Sequence, residues 1–445
     1  MEKTYDVCIV GSGPAGLFAA DRLARNGLKC CIIEKTSFCS GGLFNDGKLN
    51  LTTKIGMELD KLKLEEEKVR GYLAYIDKMF VKFGADNKIY GSDRKAVRYW
   101  VGTAAKYKVD LIPALQRHIG TDRAKKVIEN FRNYLIDLGV EFYLNSEVKN
   151  ILHKMTKNSN FELKTSIGIF RSKFLLVSPG RAGAYWFREE AKKLGVKTKF
   201  GSIDVGCRIE MLNEVYDEIT DVIYDPKFKY ITNCHGDKIR TFCTNKGGRV
   251  RVEKFKSDGS ELQLINGDGL KDNKTDNTNI AILCTVSLTD PSVDTTHLGR
   301  SIALETLRAG NGVPIVQRVG DFMRGRRSKV ENFSKGIYSR LEPSLKVPRQ
   351  AYPGDITHVY RARVIDNLRE FLGVMNQIFP GFTSPENLIY IPEIKFYDTD
   401  YPTSEGLETN IKDLFVAGDG VGKSRGIVGA AVTGIVAAEG ILKKI

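Results

Sequence analysis

The chain has 445 residues, and 68 Lys and Arg against 54 Asp and Glu give it a formal net charge of +14. A hydrophobic fraction of 42% and a charged fraction of 27% are typical of a globular protein. The sequence contains no run of about 18 uncharged apolar residues, which argues against a transmembrane segment. Its eight cysteines include no CxxC pair, so neither a disulfide framework nor a metal site is expected. The positive charge is spread along the chain, which disfavours specific nucleic-acid binding. The N-terminus carries acidic residues and does not read as a signal peptide, so we expect a cytoplasmic protein with reduced thiols.

The N-terminus has the pattern of a βαβ unit. Residues 4–10 are rich in apolar and β-branched side chains, which predicts a buried parallel strand. The turn GSGPAG (11–16) follows, then a helix over 14–25 and a second apolar strand over 29–33. An acidic residue, Glu34, comes directly after that strand. A GxGxxG turn in this context predicts a dinucleotide-binding site.

Each glycine of the GxGxxG pattern in this turn has a physical role. Gly11 permits the tight turn, Gly13 lets the backbone approach a pyrophosphate, and Gly16 allows close packing of helix on strand. The free N–H groups and the positive dipole at the start of the helix receive the phosphate charge. Glu34 can accept hydrogen bonds from the adenosine ribose hydroxyls. This unit alone does not decide between NAD and FAD.

The other end of the chain favours FAD. Residues 413–417 read as a short buried strand that leads into a Gly-Asp-Gly turn and a small-residue helix. This segment resembles the C-terminal signature of two-dinucleotide-fold flavoproteins. The resemblance implies that Asp419 holds the ribityl chain and that the amides of Ile427 and Val428 lie near the flavin pyrimidine ring, where the helix dipole stabilises the reduced flavin. No His or Cys lies in a recognisable attachment motif, so the FAD is expected to be non-covalent.

Further segments extend the predicted site. The apolar strand 174–177 leads to Ser178-Pro179-Gly180, and a comparable turn passes the adenine side of FAD in the same superfamily, although an ordinary strand-to-helix turn is the alternative. The strand that begins at Val148 would meet the adenine, and the Gly-rich segment 39–49 would pass under the pyrophosphate and flavin. The predicted FAD contacts are Gly11, Gly13, Pro14, Ala15, Gly16, Glu34, Lys35, Gly41, Gly42, Lys48, Val148, Pro179, Gly180, Gly418, Asp419, Gly426, Ile427 and Val428.

The order of the motifs predicts the domains. FAD motifs bracket the middle of the chain, so we expect an FAD-binding domain over 1–200, a substrate domain over 201–385, and the remainder of the FAD-binding domain over 386–445. The expected fold class is α/β, with a Rossmann-like two-dinucleotide-fold domain and an inserted β-rich α+β domain. Only one dinucleotide fingerprint is found, so a second, dedicated NAD(P)H domain is not expected. Other predicted elements are helices over 62–83, 121–138, 297–308, 314–323 and 360–378 and a solvated loop over 268–279.

The chain resembles a group of bacterial and archaeal flavoproteins, the uncharacterised FAD-dependent dehydrogenases. These have a glutathione-reductase-type FAD domain and distant geranylgeranyl-reductase-like relatives. This sequence departs from the family pattern in two ways. Many relatives carry an extra N-terminal domain, whereas this sequence begins at the Rossmann strand. The usual Cys-Pro-Gly-Gly turn of the family is replaced here by CTNKGG (243–248). The family implies FAD redox chemistry but no substrate. The matching segments are CSGGLFNDGKL (39–49), RHIGTD (117–122), SPGRAG (178–183), DVGCRIE (204–210), RTFCTNKGG (240–248), PEIKFY (392–397) and GDGVGKSRGI (418–427).

Four residues are candidates for catalysis. Cys243 lies at a strand end and Arg240 three residues before it, so the thiol is either an activated nucleophile or proton donor, or a small buried side chain. His118 is either a proton donor or a structural imidazole. Arg425 lies in the turn beside the expected flavin edge, where it could stabilise reduced flavin or bind a substrate carboxylate. Lys395 is a similar candidate.

These observations predict an FAD-dependent oxidoreductase that transfers hydride between flavin N5 and a small organic substrate. NAD(P)H or a ferredoxin-type protein would be the external electron partner. Three alternatives stay open. One is an enoate or isoprenoid C=C reductase that uses NAD(P)H, a second is a flavin-bound redox sensor, and a third is an RNA-associated flavoprotein that uses basic surface such as 324–329.

Overall fold

The computed structural model describes residues 2–39, 46–257, 260–289, 293–333, 340–396 and 399–445, so the predicted FAD contacts Gly41 and Gly42 lie outside the described residues. The strands are β1 (Glu2–Val10), β2 (Cys30–Ile33), β3 (Lys48–Leu51), β4 (Asp110–Ile112), β5 (Leu115–His118), β6 (Glu141–Tyr143), β7 (Val148–His153), β8 (Phe161–Thr165), β9 (Ile169–Val177), β10 (Lys199–Phe200), β11 (Ile203–Leu212), β12 (Lys227–Ile231), β13 (Lys238–Asn245), β14 (Arg249–Ser257), β15 (Ser260–Asp268), β16 (Asn277–Val286), β17 (Ile315–Arg318), β18 (Tyr352–Pro353), β19 (Leu388–Lys395), β20 (Thr399–Asp400) and β21 (Leu414–Val416). The helices are α1 (Pro14–Ala24), α2 (Leu59–Leu62), α3 (Glu66–Lys82), α4 (Arg94–Ala105), α5 (Thr121–Asp137), α6 (Gly180–Leu194), α7 (Asp217–Val222), α8 (Thr296–Ala309), α9 (Val319–Met323), α10 (Ala362–Ile378) and α11 (Gly426–Leu442).

The chain folds into two compact units. Unit 1 comprises Met1–Lys88, Arg117–Phe200 and Thr399–Ile445, and unit 2 comprises Ile89–Gln116 and Gly201–Asp398. Two stretches assigned to the FAD-binding domain from the sequence, 89–116 and 386–398, therefore lie in unit 2. The reason is strand pairing, because β4 and β19 both belong to the sheet of unit 2. The assignment of a substrate domain stays a prediction.

Unit 1 is built on a seven-stranded sheet with the order β6-β2-β1-β9-β8-β7, in which β21 also pairs with β9. The pairs among β6, β2, β1, β9 and β21 are parallel. Val10 and Val416 are both in register with Val177. The carboxyl ends of β1, β9 and β21 thus meet at one edge of the sheet, where ligands bind in open α/β sheets.

Helices α1 and α11 pack closely beside this sheet. Small residues make this possible, since a Cβ at Gly434 would lie 2.1 Å from the carbonyl oxygen of Ala15. Nearly every residue of α11 is buried. Among the helices of the described residues, none has the length and apolar character that a membrane span requires.

Unit 2 is built on an eight-stranded sheet with the order β18-β17-β19-β11-β16-β13-β12-β4. Its strand pairs are antiparallel except for β17 with β18. Val205 and Ile209 of β11 share an apolar core with Leu368 and Phe371 of α10. The sequence thus forms the expected mixed α/β architecture, with a Rossmann-type unit and a β-rich second unit.

Two predicted elements differ from the structure, and one helix was not predicted. The predicted helix 314–323 is wrong, because Ile315–Arg318 forms β17 and pairs with β19 before the short α9 begins. The predicted loop 268–279 ends early, because β16 begins at Asn277 and pairs along its length with β11. Helix α4 was missed, although Asp93 caps it by accepting hydrogen bonds from the N–H groups of residues 95 and 96.

Candidate functional site

Three glycine-containing turns meet at the sheet edge of unit 1. The turn after β1 contacts the turn after β9, since a Cβ at Gly11 would lie 2.2 Å from the carbonyl oxygen of Ser178. The turn after β21 contacts both: a Cβ at Gly420 would lie 2.1 Å from the carbonyl oxygen of Gly180, and one at Gly418 would lie 3.4 Å from Cβ of Ala15. The structure thus brings together three segments that the sequence assigned separately to the cofactor.

The middle glycine of the first turn faces open space. Gly13 is the N-cap residue of α1, with φ −73° and ψ 178°, and Pro14 begins the helix. A Cβ at Gly13 would meet no atom within 4 Å, whereas one at Gly16 would lie 2.1 Å from the carbonyl oxygen of Gly11. Gly16 therefore serves helix–strand packing, and Gly13 leaves room for a group at the helix N-terminus, where the N–H donors and the dipole favour phosphate.

Glu34 reaches back to the first turn. Its Oε2 accepts hydrogen bonds from Ser12 N (3.0 Å) and Ser12 Oγ (2.6 Å), and its Oε1 accepts from Thr36 N (3.0 Å) and Thr36 Oγ1 (2.9 Å). The side chain is buried. The sequence predicted the position of Glu34 at the end of β2. It did not predict its hydrogen-bond partners, because the GxGxxG pattern specifies neither Ser12 nor Thr36. A bound ribose would share the Glu34 carboxylate with the hydroxyl groups of Ser12 and Thr36, which can rotate to make room for its hydrogen bonds.

Asp419 lies between two arginines. Its carboxylate is 3.1 Å from Arg425 Nη1 and 3.6 Å from Arg181 Nε. Arg181 was not predicted, since it follows the β9 turn and approaches Asp419 only in the folded chain. The nearby hydroxyl of Ser424 is buried and has no hydrogen-bond partner among the described residues. This segment therefore presents a carboxylate, guanidinium groups and an unsatisfied hydroxyl beside the first turn.

The start of α11 contains a second open glycine. Gly426 has φ +69°, and a Cβ there would meet no atom within 4 Å. Ile427 and Val428 follow and are buried. Ile427 lines a small apolar cavity that Pro14 and Ile119 also line.

The predicted proton donor His118 comes directly before Ile119, one of the residues that line this cavity. It is buried, and the next residue, Ile119, donates its N–H to the carbonyl of Gly47 (2.7 Å). Lys48, a predicted FAD contact, is also buried, and its Nζ lies 3.1 Å from Asp46 Oδ2. The structure thus brings the segments around His118 and Lys48 together in unit 1.

The other predicted contacts lie around the same edge. Lys35 donates from Nζ to the carbonyl of Ala182 (3.3 Å), in the first turn of α6, where Pro179 is the N-cap. Val148 begins β7 and is buried. It follows Ser146, whose N–H donates to the carbonyl of Glu34 (2.8 Å).

The donor set fits FAD. The open Gly13 at a helix N-terminus suits a pyrophosphate, the buried Glu34 carboxylate suits a ribose, and Asp419 suits a polyol. A family model described as "FAD binding domain" matches residues 4–123. The chain carries an FAD-binding domain. FAD is a redox cofactor, so FAD held in this domain would supply oxidation–reduction chemistry.

Other comparisons give likeness without a reaction. A protein of Clostridium beijerinckii, described as uncharacterized, is 25% identical over 98% of this chain and 80% of its own length. The L-proline dehydrogenase of P. horikoshii is 14% identical with a TM-score of 0.47, covering 100% of this chain and 95% of that one. A geranylgeranyl bacteriochlorophyll reductase-like protein of Thermoplasma acidophilum is 13% identical with a TM-score of 0.45, covering 99% and 78%. Similarity at this level does not identify a substrate for this protein.

The remaining candidates of this flavoprotein, Cys243 and Lys395, lie in unit 2 and share one buried network. The carbonyl of Cys243 accepts a hydrogen bond from Arg208 Nη1 (3.1 Å). Arg208 also donates to both carboxylate oxygens of Glu393 (2.7 and 2.6 Å), and Lys395 Nζ lies 3.0 Å from Glu393 Oε1. Burial alone would raise the pKa of the Glu393 carboxyl, but the adjacent Arg208 and Lys395 charges hold it below its ordinary value.

The thiol of Cys243 sits in an unusual backbone position. Cys243 has φ +49°, which is uncommon for a residue with a Cβ. Its Sγ lies 3.5 Å from Asn245 Nδ2, and both residues are buried. Arg240, the expected activator, donates to Asp204 Oδ2 (2.6 Å). A role of Cys243 in catalysis stays a prediction.

The basic run 324–329 lies on the surface of unit 2. Its arginines and Lys329 are exposed, whereas Ser328 is buried and donates from Oγ to Asp321 Oδ2 (2.7 Å). The backbone is thus fixed while the charges face solvent. An RNA-associated role stays a prediction.

Proposed function

We propose that the protein transfers hydride between N5 of a non-covalently bound FAD and a small organic substrate. The observation that carries the proposal is the meeting of three turns at the edge of the unit 1 sheet, with open glycines at the N-termini of α1 and α11. Bound FAD supplies the capacity to accept or donate a hydride. The chain itself binds, orients and shields the reacting groups.

Different residues of unit 1 would bind different parts of FAD. The N-terminus of α1 at Gly13 would hold the pyrophosphate, and Glu34 would hold the adenosine ribose. Asp419 would accept from the ribityl hydroxyls. The N-terminus of α11 has no acidic residue in its first turn, so its dipole remains available to stabilise negative charge beside Ile427.

A proton donor or acceptor must accompany hydride transfer. The candidates for this role are His118 in unit 1 and Cys243 in unit 2, whereas Arg425 and Lys395 could stabilise reduced flavin or bind a substrate carboxylate. Arg425 pairs with Asp419 and Lys395 with Glu393, so both cations are positioned by a carboxylate. We also infer a reducing, cytoplasmic setting, because the cysteines of the described residues are free thiols.

Anaerobic spectroscopy tests the proposal. The purified protein should show the flavin absorption near 450 nm, and heat or acid should release FAD into solution. Titration with NADH and NADPH would then identify an external donor if one of them bleaches this band, whereas a band stable to both would indicate that electrons come from the substrate or a protein donor. A protein that neither contains nor can be reconstituted with FAD contradicts the proposal.

A further inference from the structure

The sheet of unit 2 has two unlike faces. Side chains alternate along each strand, and residues paired across strands share a face. Val205, Cys207 and Ile209 of β11 lie in the apolar core with α10. The alternate residues Asp204 and Arg208 lie on the other face. We call this second side the charged face.

The charged face is extended by the neighbouring strands. Asp204 pairs with Lys395 of β19 and with Thr285 of β16. Arg240 of β13 pairs with Leu283 of β16, which in turn pairs with Gly206. Register thus places acidic and basic side chains from three strands on one side of the sheet.

An aromatic ring lies among the cations of this face. Phe242 has Arg240 Cζ at 4.8 Å from its ring centroid, Lys227 Nζ at 5.1 Å and Lys395 Nζ at 5.6 Å. Phe242 and Arg240 are partly exposed, whereas both lysines are buried. Cations are attracted to the face of an aromatic ring, so the ring helps to hold the charges in place.

Carboxylates only partly neutralise these cations. Lys227 pairs with Asp225 (2.5 Å) and Arg240 with Asp204 (2.6 Å). Glu393 carries one negative charge but contacts two cations, Arg208 and Lys395. Within the cluster of Arg208, Glu393 and Lys395, positive charge therefore exceeds negative charge by one.

Lys229 is a further cation of this face, with Asp110 opposite it in the β4–β12 pair. It lies directly opposite Arg240 in the β12–β13 pair and is partly exposed. Burial and the like charges of Lys238 and Arg240 lower the pKa of Lys229, even though Asp110 opposes the change. A cation held against like charge is destabilising in the free protein, and a bound anion would relieve it.

The stability of the fold does not account for the buried ion pairs of the charged face. Taking ions out of water costs several kcal/mol each, so a buried pair is often no better than apolar side chains of the same volume. The opposite face of the same sheet shows that the sequence supplies such apolar side chains. Charged groups arranged in this way are candidates for recognition.

We propose that the charged face of unit 2 binds a ligand that joins an anionic group, a carboxylate or a phosphate, to a flat apolar moiety. Lys229 and Arg240 receive the anion, and Phe242 packs against the apolar part. The identification of this ligand as the substrate rests on the proposed function; the anion site itself does not.

Isothermal titration calorimetry on the full, FAD-loaded chain tests this inference. Benzoate and phenyl phosphate serve as anionic probes, and benzamide serves as the neutral counterpart of the same shape. We expect at least one anionic probe to bind at least about tenfold more tightly than benzamide, equivalent to about 1.4 kcal/mol. The stronger of the two anions distinguishes a carboxylate from a phosphate ligand. The absence of binding by both anions up to about 10 mM, or equal binding of benzamide, overturns the inference.

Substitutions test whether Lys229 and Arg240 form the anion site. Lys229→Gln should weaken the anionic probe about tenfold without lowering the Tm, because it removes a cation that is repelled by its neighbours. Arg240→Gln should weaken the same probe, and the exposed Lys346→Gln serves as the matched control that leaves it unchanged. Wild-type binding by both Lys229→Gln and Arg240→Gln contradicts the proposal. The flavin absorption of each variant separates the two proposals: anion binding by a protein that takes up no FAD would sustain this site and reject the proposed function.

Discussion

The guanidinium of Arg425 lies 3.1 Å from the carboxylate of Asp419, measured from Nη1 to Oδ1. The two residues lie on opposite sides of the turn that leads into α11. Asp419 is thereby oriented by a cation, and Arg425 is not an isolated charge. As proposed, Asp419 would hold the cofactor, and Arg425 would position its carboxylate.

We therefore expect Asp419→Asn to weaken FAD binding. A hydrogen bond to a charged acceptor contributes about 1.5–3 kcal/mol, so the Kd should rise about ten- to hundredfold. Arg425→Gln should raise it less, because Asp419 keeps its charge and a partly exposed pair contributes up to about 1 kcal/mol. Fluorescence titration of the FAD-free protein measures both Kd values. Equal affinity of Asp419→Asn and wild type would exclude Asp419 from the site.

Gly13 and Gly16 provide a matched pair of substitutions. Gly13→Ala should leave the Tm of the FAD-free protein nearly unchanged, because its backbone suits any residue and its Cβ meets no atom within 4 Å. FAD affinity should fall at least about tenfold, since the methyl group would occupy the space for the pyrophosphate. Gly16→Ala should instead destabilise the fold by about 1–3 kcal/mol, because its Cβ would lie 2.1 Å from a carbonyl oxygen. Thermal denaturation and FAD titration of both variants check this. An unchanged FAD affinity in Gly13→Ala would place the pyrophosphate elsewhere.

Glu393 should support unit 2 in a pH-dependent manner. Glu393→Gln breaks a fully buried pair with Arg208, which costs about 3–5 kcal/mol. The folded pKa of Glu393 lies below its ordinary value of 4.5, so its contribution is present above pH 4.5 and is lost as the pH falls below that value. The Tm difference between wild type and variant should accordingly be constant near neutrality and shrink in acid. The exposed Glu331→Gln should show no such difference. A difference that grows in acid would contradict the assigned ion pair.

Cys234 should be the fast-reacting thiol of the native protein. It is exposed, whereas the other cysteines of the described residues are buried. Partial desolvation and a hydrogen bond to Glu370 raise the pKa of its thiol above the ordinary value of 9.0, so its rate with a disulfide reagent should keep increasing as the pH rises through 9. Cys234→Ser should abolish this phase. A fast phase that persists in this variant and disappears in Cys243→Ala would instead mark Cys243 as reactive.

The glycine turns at the edge of the unit 1 sheet could be predicted from the sequence because their signals are local. The turn at 11–16 combines a tight bend, a helix start and a strand end within a few residues, and each requirement limits the residue type. The same holds for the Gly-Asp-Gly turn after β21. The partners of these residues were not predictable: Ser12 and Thr36 on Glu34, and Arg181 near Asp419, depend on contacts that no spacing encodes.

The unit boundaries show the same limit. The sequence placed 89–116 with the first motif because the two are neighbours along the chain. Strand β4 nevertheless pairs with β12, more than a hundred residues later. The short-range pattern of 314–323 predicts a helix, but hydrogen bonding to β19 makes its first half a strand.

By itself, the sequence determined the cofactor, the parallel βαβ unit and the residues of the glycine turns, because steric limits and hydrogen-bonding geometry act over a few neighbouring residues. The tertiary structure decided which charges pair, which strands share a sheet and which side chains form the charged face around Phe242. Those features depend on register between distant strands, where a shift of one residue would move every side chain to the opposite face.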